Sequence, residues 1–415
     1  MGVLSRALAL ALAVSSGAAL WADASPPQVI RVGLSYGEGA PQTVVITGSA
    51  VFRAERSIGA VGKRMTITAG RGTLMFDGSG EVKSIGRWIE VSPGQGAAPL
   101  QLDGAVHRGD LRIALQDNGR LRVVNTLGLE HYLRGVVPNE MFPEDEAYQV
   151  QAVIARTYAM YVRDLEKKHH PDGFDICSTG HCQVYRGLDS ETPMSDEAVA
   201  ATNGLVLTRG GSVIFSAYHT NAGGQTVEVD EAWPGSIREA FLYLPRVESP
   251  YDVEAQRIPG YEWCYEWRRT VQPDALKARL GAEADRVGEI RDLLVLRRNR
   301  AGRVTSLKVV GRRGSMEIMG SPSVRAALDA PSTRFEITRS ANGFALHGWG
   351  YGDGVGLSQH GALGMARAGY DHESILAHYY RGVKLTADYG MGYTRALRAT
   401  GSKPRRATVP GGGRS

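Results

Sequence analysis

The sequence predicts an α+β protein with a β-rich N-terminal lobe and a larger core of mixed strands and helices. Short β-type runs broken by turns fill the first part of the chain, and helical periodicity begins only after residue 143. Strands and helices do not alternate regularly, as the βαβ units of a parallel sheet require. The chain of 415 residues is long enough for two or more packed cores.

The first 24 residues are predicted to be a signal peptide. Arg6 precedes an apolar run over residues 7–20, and Ala22-Asp23-Ala24 fits the small-x-small site that a signal peptidase cuts before Ser25. A helix needs about 20 apolar residues to span a bilayer, and this run is shorter. No cysteine follows the cut site to carry a lipid. The alternative is an uncleaved N-terminal anchor. We expect an exported protein, secreted or periplasmic and associated with the cell wall, with no membrane span after cleavage.

The charge of the chain favours an anionic partner. The net charge is +5 and the pI is near 9.0. Outside the cell, such a charge suits wall polymers better than nucleic acid, so we expect no nucleic-acid partner. Residues 386–415 form a basic tail that contains Gly and Pro and lacks a core-forming pattern, so the tail is predicted to be disordered.

The N-terminal lobe is predicted from β-type runs separated by turns. Asp117-Asn118-Gly119 is a hairpin-type turn between two such runs. We place the β-rich region at residues 25–100 and the larger core at residues 101–385. The runs are residues 44–46, 65–67, 111–114 and 121–124.

Three helices are predicted in the core. Acidic residues after Pro143, two lysines at 167 and 168, and apolar residues at steps of three and four predict a helix of about twenty residues. Ser358 is placed to cap a second helix that ends near Gly369, and residues 373–381 form the third.

Glu140 lies between an apolar, strand-like run over residues 133–137 and the long helix. A connection with rigid elements on both sides is a common position for a catalytic carboxylate. The alternative is a solvated acid stabilised by the dipole at the helix N-terminus. Spacing alone favours this second interpretation.

Two of the three cysteines are close in sequence. Cys177 and Cys182 are separated by four residues, with His181 adjacent and His169 and His170 upstream. Two thiolates and an imidazole suit a tetrahedral zinc site. A local disulfide is the alternative, favoured by an oxidising compartment. Both interpretations stay open.

Several segments, in one order, resemble the SpoIID/LytB family. Residues 129–141 (LEHYLRGVVPNEM) and 151–159 (QAVIARTYA) resemble its central signature. Residues 175–187 and 350–362 resemble two later motifs, and weaker matches lie between them. The resemblance covers roughly residues 102–385.

The resemblance implies a peptidoglycan lytic transglycosylase, which cleaves glycan strands between N-acetylmuramic acid and N-acetylglucosamine and leaves 1,6-anhydro ends. Glu140 would be the general acid and then the base. No cofactor is required for this chemistry, but family members with zinc imply His170, Cys177 and Cys182 as ligands, with His169 or His181 as substitutes for His170. The residues expected to contact substrate are Arg156, Tyr158, Tyr185, Thr220, Gln225, Asp353, Ser358 and Gln359.

Two departures and two rival functions accompany this resemblance. Asp353 stands where the family usually has Gly-His-Gly, and the usual insertion between Glu140-Met141 and the helix is missing. A general acid must hold its proton near neutrality, so burial has to outweigh a helix dipole at Glu140. The LytB side of the family suggests instead an enhancer that binds a cell-wall amidase, in sporulation or in growth. A hydrolytic muramidase would need a second carboxylate, for which Glu144 and Asp145 are the candidates.

Overall fold

The computed structural model describes residues 28–56 and 63–387. The predicted signal peptide and residues 388–415 of the predicted tail lie outside these residues. Within them strands and helices are mixed over several sheets, which confirms the predicted α+β class. Across the two described ranges, no helix combines the length and the apolar character needed to cross a membrane.

The N-terminal part of the described chain is built from strands alone, up to residue 128. They form two six-stranded sheets, one in the order β12-β1-β11-β10-β7-β3 and the other in the order β6-β5-β4-β2-β8-β9. The strands are β1 (Val29–Ser35), β2 (Thr43–Thr47), β3 (Ala50–Ala54), β4 (Arg64–Ala69), β5 (Leu74–Asp77), β6 (Val82–Ser84), β7 (Trp88–Pro93), β8 (Leu100–Leu102), β9 (Ala105–His107), β10 (Asp110–Leu115), β11 (Leu121–Gly128) and the later β12 (Ile176–Cys177).

The two sheets share one apolar core. In β2 and β4 buried residues alternate with more exposed ones, as expected for strands with one face on a core. Ile46 and Ile67 from one sheet pack in the same cluster as Ile89 and Ile113 from the other. This packing of one sheet on the other makes the N-terminal lobe a β-sandwich.

Three helices follow directly, and the second ends at Glu140. They are α1 (Leu129–Arg134), α2 (Val137–Glu140) and α3 (Asp145–Tyr161). The strand-like interpretation of residues 133–137 was therefore wrong, because a short apolar run does not distinguish a buried strand from a buried helix.

The long helix α3 is enclosed by protein. The Glu144 side chain accepts a hydrogen bond from Ala147 N and caps the helix. A π-helical turn (Val162–Glu166) follows α3, and the chain leaves the helix at Lys167, whose φ is +56°. The sequence predicted one apolar face, whereas every residue from 147 to 160 except Gln149 is buried. Even Gln151 and Thr157 on α3 are fully buried.

The rest of the described chain adds short sheets and helices around α3. The further helices are α4 (Pro193–Ala201), α5 (Val229–Ala232), α6 (Pro273–Leu280), α7 (Ala282–Val287), α8 (Ser321–Leu328), α9 (Gln359–Arg367) and α10 (His372–Tyr379), with 3₁₀ turns at His170–Asp172, Leu188–Ser190, Arg238–Phe241, Pro250–Arg257 and Glu262–Cys264. The further strands are β13 (Val206–Arg209), β14 (Ser212–Val213), β15 (Tyr218–His219), β16 (Glu266–Val271), β17 (Ile290–Arg298), β18 (Val304–Gly311), β19 (Ser315–Met319), β20 (Arg334–Ser340), β21 (Gly343–Trp349), β22 (Leu357–Ser358) and β23 (Lys384–Thr386).

Two features of this region position the candidate site. A separate apolar core, with Trp267, Leu307 and Phe335 among its members, joins β16–β21 to α6–α8. The short strands β15 and β22 pair in parallel, with Tyr218 opposite Leu357. This pairing brings the start of α9 next to Tyr218.

Candidate active site

Glu140 is the last residue of α2 rather than the first turn of α3. Met141 is extended, and Glu144, not Glu140, caps α3. The macrodipole of α3 therefore does not act directly on the Glu140 carboxylate, because such an effect is confined to the first turn of a helix. The conflict between a helix N-terminus and a protonated acid does not arise.

The Glu140 carboxylate is held by two elements distant in sequence. Val184 N donates a hydrogen bond of 2.5 Å to Oε1, and Gln359 Nε2 lies 3.5 Å from Oε2. The same amide donates to the Glu140 backbone carbonyl at 2.5 Å. Burial raises the pKa of Glu140 to about 7, against the opposing effect of the donors from Val184, Gln359 and Tyr218. The residue as a whole nevertheless stays partly exposed.

Tyrosine side chains and one amide surround this carboxylate. The fully buried Gln183 accepts a hydrogen bond of 3.1 Å from Tyr132 and donates one of 3.4 Å to Tyr218. Burial raises the pKa values of Tyr132, Tyr158 and Tyr218 well above the usual range, and the nearby charge of Glu140 raises them further. These hydroxyls stay neutral, so the charge of Glu140 faces an environment of low polarity.

Two predicted substrate contacts are structural residues. Arg156 is buried and forms a two-pronged ion pair with Glu130 at 2.7 and 2.6 Å. It also donates to backbone carbonyls of neighbouring elements. Tyr185 is buried against Tyr132 and donates to Asn125 at 3.0 Å. We correct both predictions, because these polar groups are committed to the protein and enclosed by it.

Ser358 and Asp353 also make internal contacts. Ser358 caps α9 by accepting from Gly361 N, as predicted, but it is fully buried and donates to Asp252 at 2.5 Å. Asp353 accepts from Trp233 Nε1 at 2.9 Å and from Val355 N at 3.0 Å. These bonds hold the glycine-rich loop in place. The prediction that Ser358 contacts substrate is corrected for the same reason as Arg156.

The other predicted contacts differ in their distance from the acid. Gln359 touches Glu140, and Tyr158 packs beside Tyr218, with ring centroids 6.4 Å apart. Thr220 is partly exposed, and its carbonyl accepts a hydrogen bond from His360. The amide of Gln225 is directed to Glu248. Gln359 and Tyr158 are therefore the predicted contacts that the structure brings to Glu140.

A second group of chemically active residues lies next to this site. Ligand atoms of His169, Cys177, His181 and Cys182 all lie within 4.8 Å of one another. His169 Nε2 is 3.4 Å from Cys182 Sγ, and His181 Nδ1 is 3.6 Å from Cys177 Sγ. Ligands of a tetrahedral zinc ion, bound at about 2.0–2.3 Å, are separated by similar distances. The donor set therefore fits zinc.

His169 takes the position that the resemblance assigned to His170. His170 Nε2 lies 3.5 Å from Asp175 and is not part of the cluster. His169 Nδ1 lies 2.9 Å from Asp172, an arrangement that leaves Nε2 to face the sulfur. A carboxylate behind an imidazole ligand is the usual support in zinc sites. In the predicted ligand set, His169 therefore replaces His170.

The chain resembles known proteins over most of its described length. Residues 117–209 match the model of the SpoIID family, described as a stage II sporulation protein, and residues 247–356 match a domain of unknown function (DUF8618). An uncharacterized protein of Brachyspira hyodysenteriae is 31% identical over 293 residues, which cover 69% of this chain and 74% of that protein.

Two named relatives agree with the family match. Stage II sporulation protein D of Bacillus amyloliquefaciens is 28% identical, over 63% of this chain and 75% of that protein. The amidase enhancer of Bacillus subtilis is 26% identical, over 61% of this chain and 40% of that protein. The chain belongs to the SpoIID/LytB family.

The segment that matches SpoIID contains Glu140, the cluster of His169, Cys177, His181 and Cys182, and the link between them. Val184, which donates to Glu140, is two residues after the cluster member Cys182. In this SpoIID/LytB protein, anything that orders the cluster therefore also orders the backbone donor of the acid.

Sequence reasoning missed Gln183, Val184 and Tyr218 as neighbours of Glu140. Gln183 and Val184 lie within the motif over residues 175–187, so the resemblance to the family could have indicated them. Tyr218 stands next to the polar segment that begins at His219, but its approach to the acid depends on the pairing of β15 with β22.

Proposed function

We propose that the protein is a lytic transglycosylase that cleaves peptidoglycan glycan strands with Glu140 as its general acid and base. Family membership supports the cell-wall setting of this proposal. The observation that carries it is the enclosed position of Glu140 against Val184 N and Gln359, where burial raises the pKa of the acid to about 7. An acid with such a pKa is protonated in a large fraction of molecules at neutral pH and also serves as a base once it has lost its proton.

The proposed reaction uses this one carboxyl twice. Protonated Glu140 gives its proton to the glycosidic oxygen as the bond from that oxygen to C1 of N-acetylmuramic acid breaks. The resulting carboxylate takes the proton of the 6-hydroxyl of the same sugar as its oxygen bonds to C1. The acid is regenerated, no water is consumed, and the new end is a 1,6-anhydro sugar.

The surroundings of Glu140 support this reaction over hydrolysis with two carboxylates. None of the groups that shift the pKa of Glu140 in the described part of the chain is an Asp or a Glu. Glu144, one of the two candidate second carboxylates, caps α3 through Ala147 N at 2.9 Å, and the other, Asp145, is exposed in the first turn of α3. A hydrolase of the usual kind needs a second carboxylate across the glycosidic bond.

We further propose that His169, Cys177, His181 and Cys182 hold a zinc ion with a structural role. Four ligands would close the coordination shell, as in structural zinc sites. The ion would fix the segment that presents Val184 N to Glu140. Elemental analysis of the purified protein tests this, and we expect about one zinc per chain. Removing it should lower the melting temperature, whereas a Cys177→Ser, Cys182→Ser variant should bind no zinc. Retention of full stability without metal, together with a Cys177–Cys182 disulfide in mass spectra, would favour the other interpretation.

Export to the wall belongs to this proposal. The residues that carry the signal, 1–24, are outside the described structure, so the prediction stands on sequence. N-terminal sequencing of the mature protein should begin at Ser25.

A second candidate is an enhancer of a cell-wall amidase, favoured by the relative of that name. That match covers 40% of the relative, so the shared part is less than half of that protein. An enhancer needs no titrating acid, and its effect should survive Glu140→Gln.

The deciding experiment is mass spectrometry of the products released from peptide-free glycan strands. Wild type should release anhydro-ended sugars, and the amount released by Glu140→Gln should be smaller by at least about 10²-fold. Glu144→Gln is the matched control, because it removes a nearby carboxylate that the proposed reaction does not use. Reducing ends in place of anhydro ends would replace the proposal with a hydrolase. No release at all, with stimulation of an amidase, would replace it with the enhancer.

A further inference from the structure

Large aromatic side chains are exposed at few places on the protein. In the described ranges, three aromatic residues are more than a third exposed, namely Tyr261, Trp263 and Tyr370. Tyr261 and Trp263 are both 43% exposed and belong to one turn, the 3₁₀ segment at Glu262–Cys264. Two exposed rings on one turn are a costly feature for a fold that has no use for them.

This turn lies against the residues that follow the acid. The ring of Tyr261 packs edge-to-face on Phe142, with centroids 4.7 Å apart. Phe142 is two residues after Glu140, and it also lies 5.6 Å from the ring of His360, which follows Gln359. Phe142 therefore adjoins the acid through two separate connections, and Tyr261 continues outward from it.

A second pair of rings begins two residues further along the same turn, at Trp263. Trp263 packs edge-to-face on Tyr351 at 5.1 Å, and the guanidinium of Arg325 lies 5.7 Å from the centre of the Tyr351 ring. The indole nitrogen of Trp263 donates to Gly260 O at 2.9 Å, so its polar group is already satisfied. We call Phe142, Tyr261, Trp263 and Tyr351 the aromatic track.

We propose that the aromatic track binds the glycan strand beyond the cleavage point and so gives the enzyme a preference for long strands. The inference rests on the proposed function. A pyranose ring has an apolar C–H face and a polar rim, and an aromatic ring offers the matching apolar face. The track begins beside the acid and ends at a cation, which suits a strand whose muramic acid residues carry carboxylates.

The chemistry of the surface favours a sugar over a protein partner. Along the chain around the two rings most exposed residues are polar or small, among them Arg257, Gly260 and Glu262, and the exposed apolar residues there are Pro259 and Val253. The central part of a protein interface is usually a continuous apolar patch. A narrow row of rings on a polar surface lacks that continuity, but it fits an extended polymer of sugars.

Binding of glycan strands to the full mature chain tests this proposal. The Glu140→Gln background prevents turnover, and Tyr261→Ala and Trp263→Ala are added singly and together. We expect each ring to contribute about tenfold in Kd for long peptide-free strands, as buried aromatic anchors do. The loss should be small for a disaccharide unit, which does not extend from the acid along the track.

Two controls guard against a general disturbance. Tyr370→Ala removes a ring of similar exposure outside the track and should leave Kd unchanged. Trp263→Phe keeps a ring and should retain most of the affinity. Melting temperatures of all variants show whether the turn still folds.

The outcomes separate this proposal from the proposed reaction. Wild-type cleavage with unchanged Kd in the double variant would overturn the track and leave the reaction intact. Weaker binding in the double variant without any cleavage by wild type would keep the track and overturn the reaction. Equal losses for short and long strands, or a loss only in stimulation of an amidase, would overturn the track.

Discussion

Two enclosed carboxylates are joined through the start of α9, and their surroundings differ. Ser358 donates to Asp252, and the next residue, Gln359, lies against Glu140. Asp252 is fully buried and accepts from Ser249 at 2.8 Å, from Ser358 at 2.5 Å and from Gly224 N at 2.8 Å. Glu140 accepts one short hydrogen bond, from Val184 N. Gln359 at 3.5 Å and the hydroxyl of Tyr218 are its other donors.

The comparison separates an acid with a structural role, Asp252, from an acid for which we propose a chemical role, Glu140. Burial raises the pKa of both carboxyls, and the donors around each lower it. At Asp252 both oxygens are occupied by donors and no surface is open to solvent, so the group only fastens segments together. At Glu140 one oxygen is weakly held and the residue is partly exposed, so this oxygen, when protonated, can donate its proton to a substrate oxygen.

The largest effect should come from Glu140→Gln. The amide keeps the size of the side chain but has no proton to give, so we expect glycan cleavage to fall by a factor on the order of 10²–10⁴. Stability at neutral pH should not fall, because no buried charge is left unpaired. Product release and melting temperature of the same preparation measure both. A variant that loses activity because it unfolds would contradict the assignment.

Asp252→Ala should show the opposite pattern, with its main effect on stability. It leaves buried donors of Ser249, Ser358 and Gly224 without an acceptor, which should cost about 3 kcal/mol in the free energy of unfolding. Urea denaturation measures this cost, and Asp252→Asn, which keeps an acceptor oxygen, is the milder control. An Asp252→Ala protein of wild-type stability would mean that the network is not structural.

Much of the fold was accessible from sequence because it depends on local pattern. Short β-type runs between turns predicted the strands near residues 44–46 and 111–114, and the cap and helix at Ser358 followed from spacing. Residues 133–137 were misread because a short apolar run has no visible period. The enclosure of α3 on all sides depends on elements that come later in the chain, which its own periodicity does not show.

The candidate site divides in the same way. Glu140 and the cysteine pair stand in recognisable motifs, whereas the choice between His169 and His170 depends on the turn at His170–Asp172. Arg156 stands in a motif as well, but its burial with Glu130 reflects packing. A motif thus indicates which residues matter to the fold, and only the three-dimensional contacts separate structural from chemical roles.

The pH dependence of stability should distinguish Glu140 from an ordinary surface acid. Its folded pKa, about 7, lies above the unfolded value of about 4.3. The folded state therefore binds the proton more tightly, so this stability is complete below about pH 4.3 and is lost as pH rises through about 7. Glu140→Gln removes this dependence. The variant should therefore become more stable relative to wild type as the pH rises from about 4.3 to about 7. Urea titrations at several pH values measure the difference. The contribution of Asp252 to the pH dependence is the same in both proteins and therefore cancels in the difference. A difference that does not change with pH would contradict a raised pKa.

The smallest effect should come from Gln359→Leu, which removes the longer contact to the Glu140 carboxylate together with the 2.5 Å hydrogen bond to the Glu140 backbone carbonyl. Gln359 stabilises the carboxylate, so its loss should raise the pKa of Glu140 further. Cleavage should fall as pH rises through about 7 in wild type, because the acid loses its proton, and this fall should move to higher pH in the variant. The displacement should be less than about one pH unit, since a contact of 3.5 Å is weaker than an ordinary hydrogen bond. The pH profile of kcat/KM measures this displacement. Gln225→Leu is the matched control, because it removes a side-chain amide that is directed to Glu248 instead. A profile that moves to lower pH would show that Gln359 stabilises the protonated acid rather than the carboxylate. Glu140 would then differ in this respect from Asp252, whose donors stabilise the charged form.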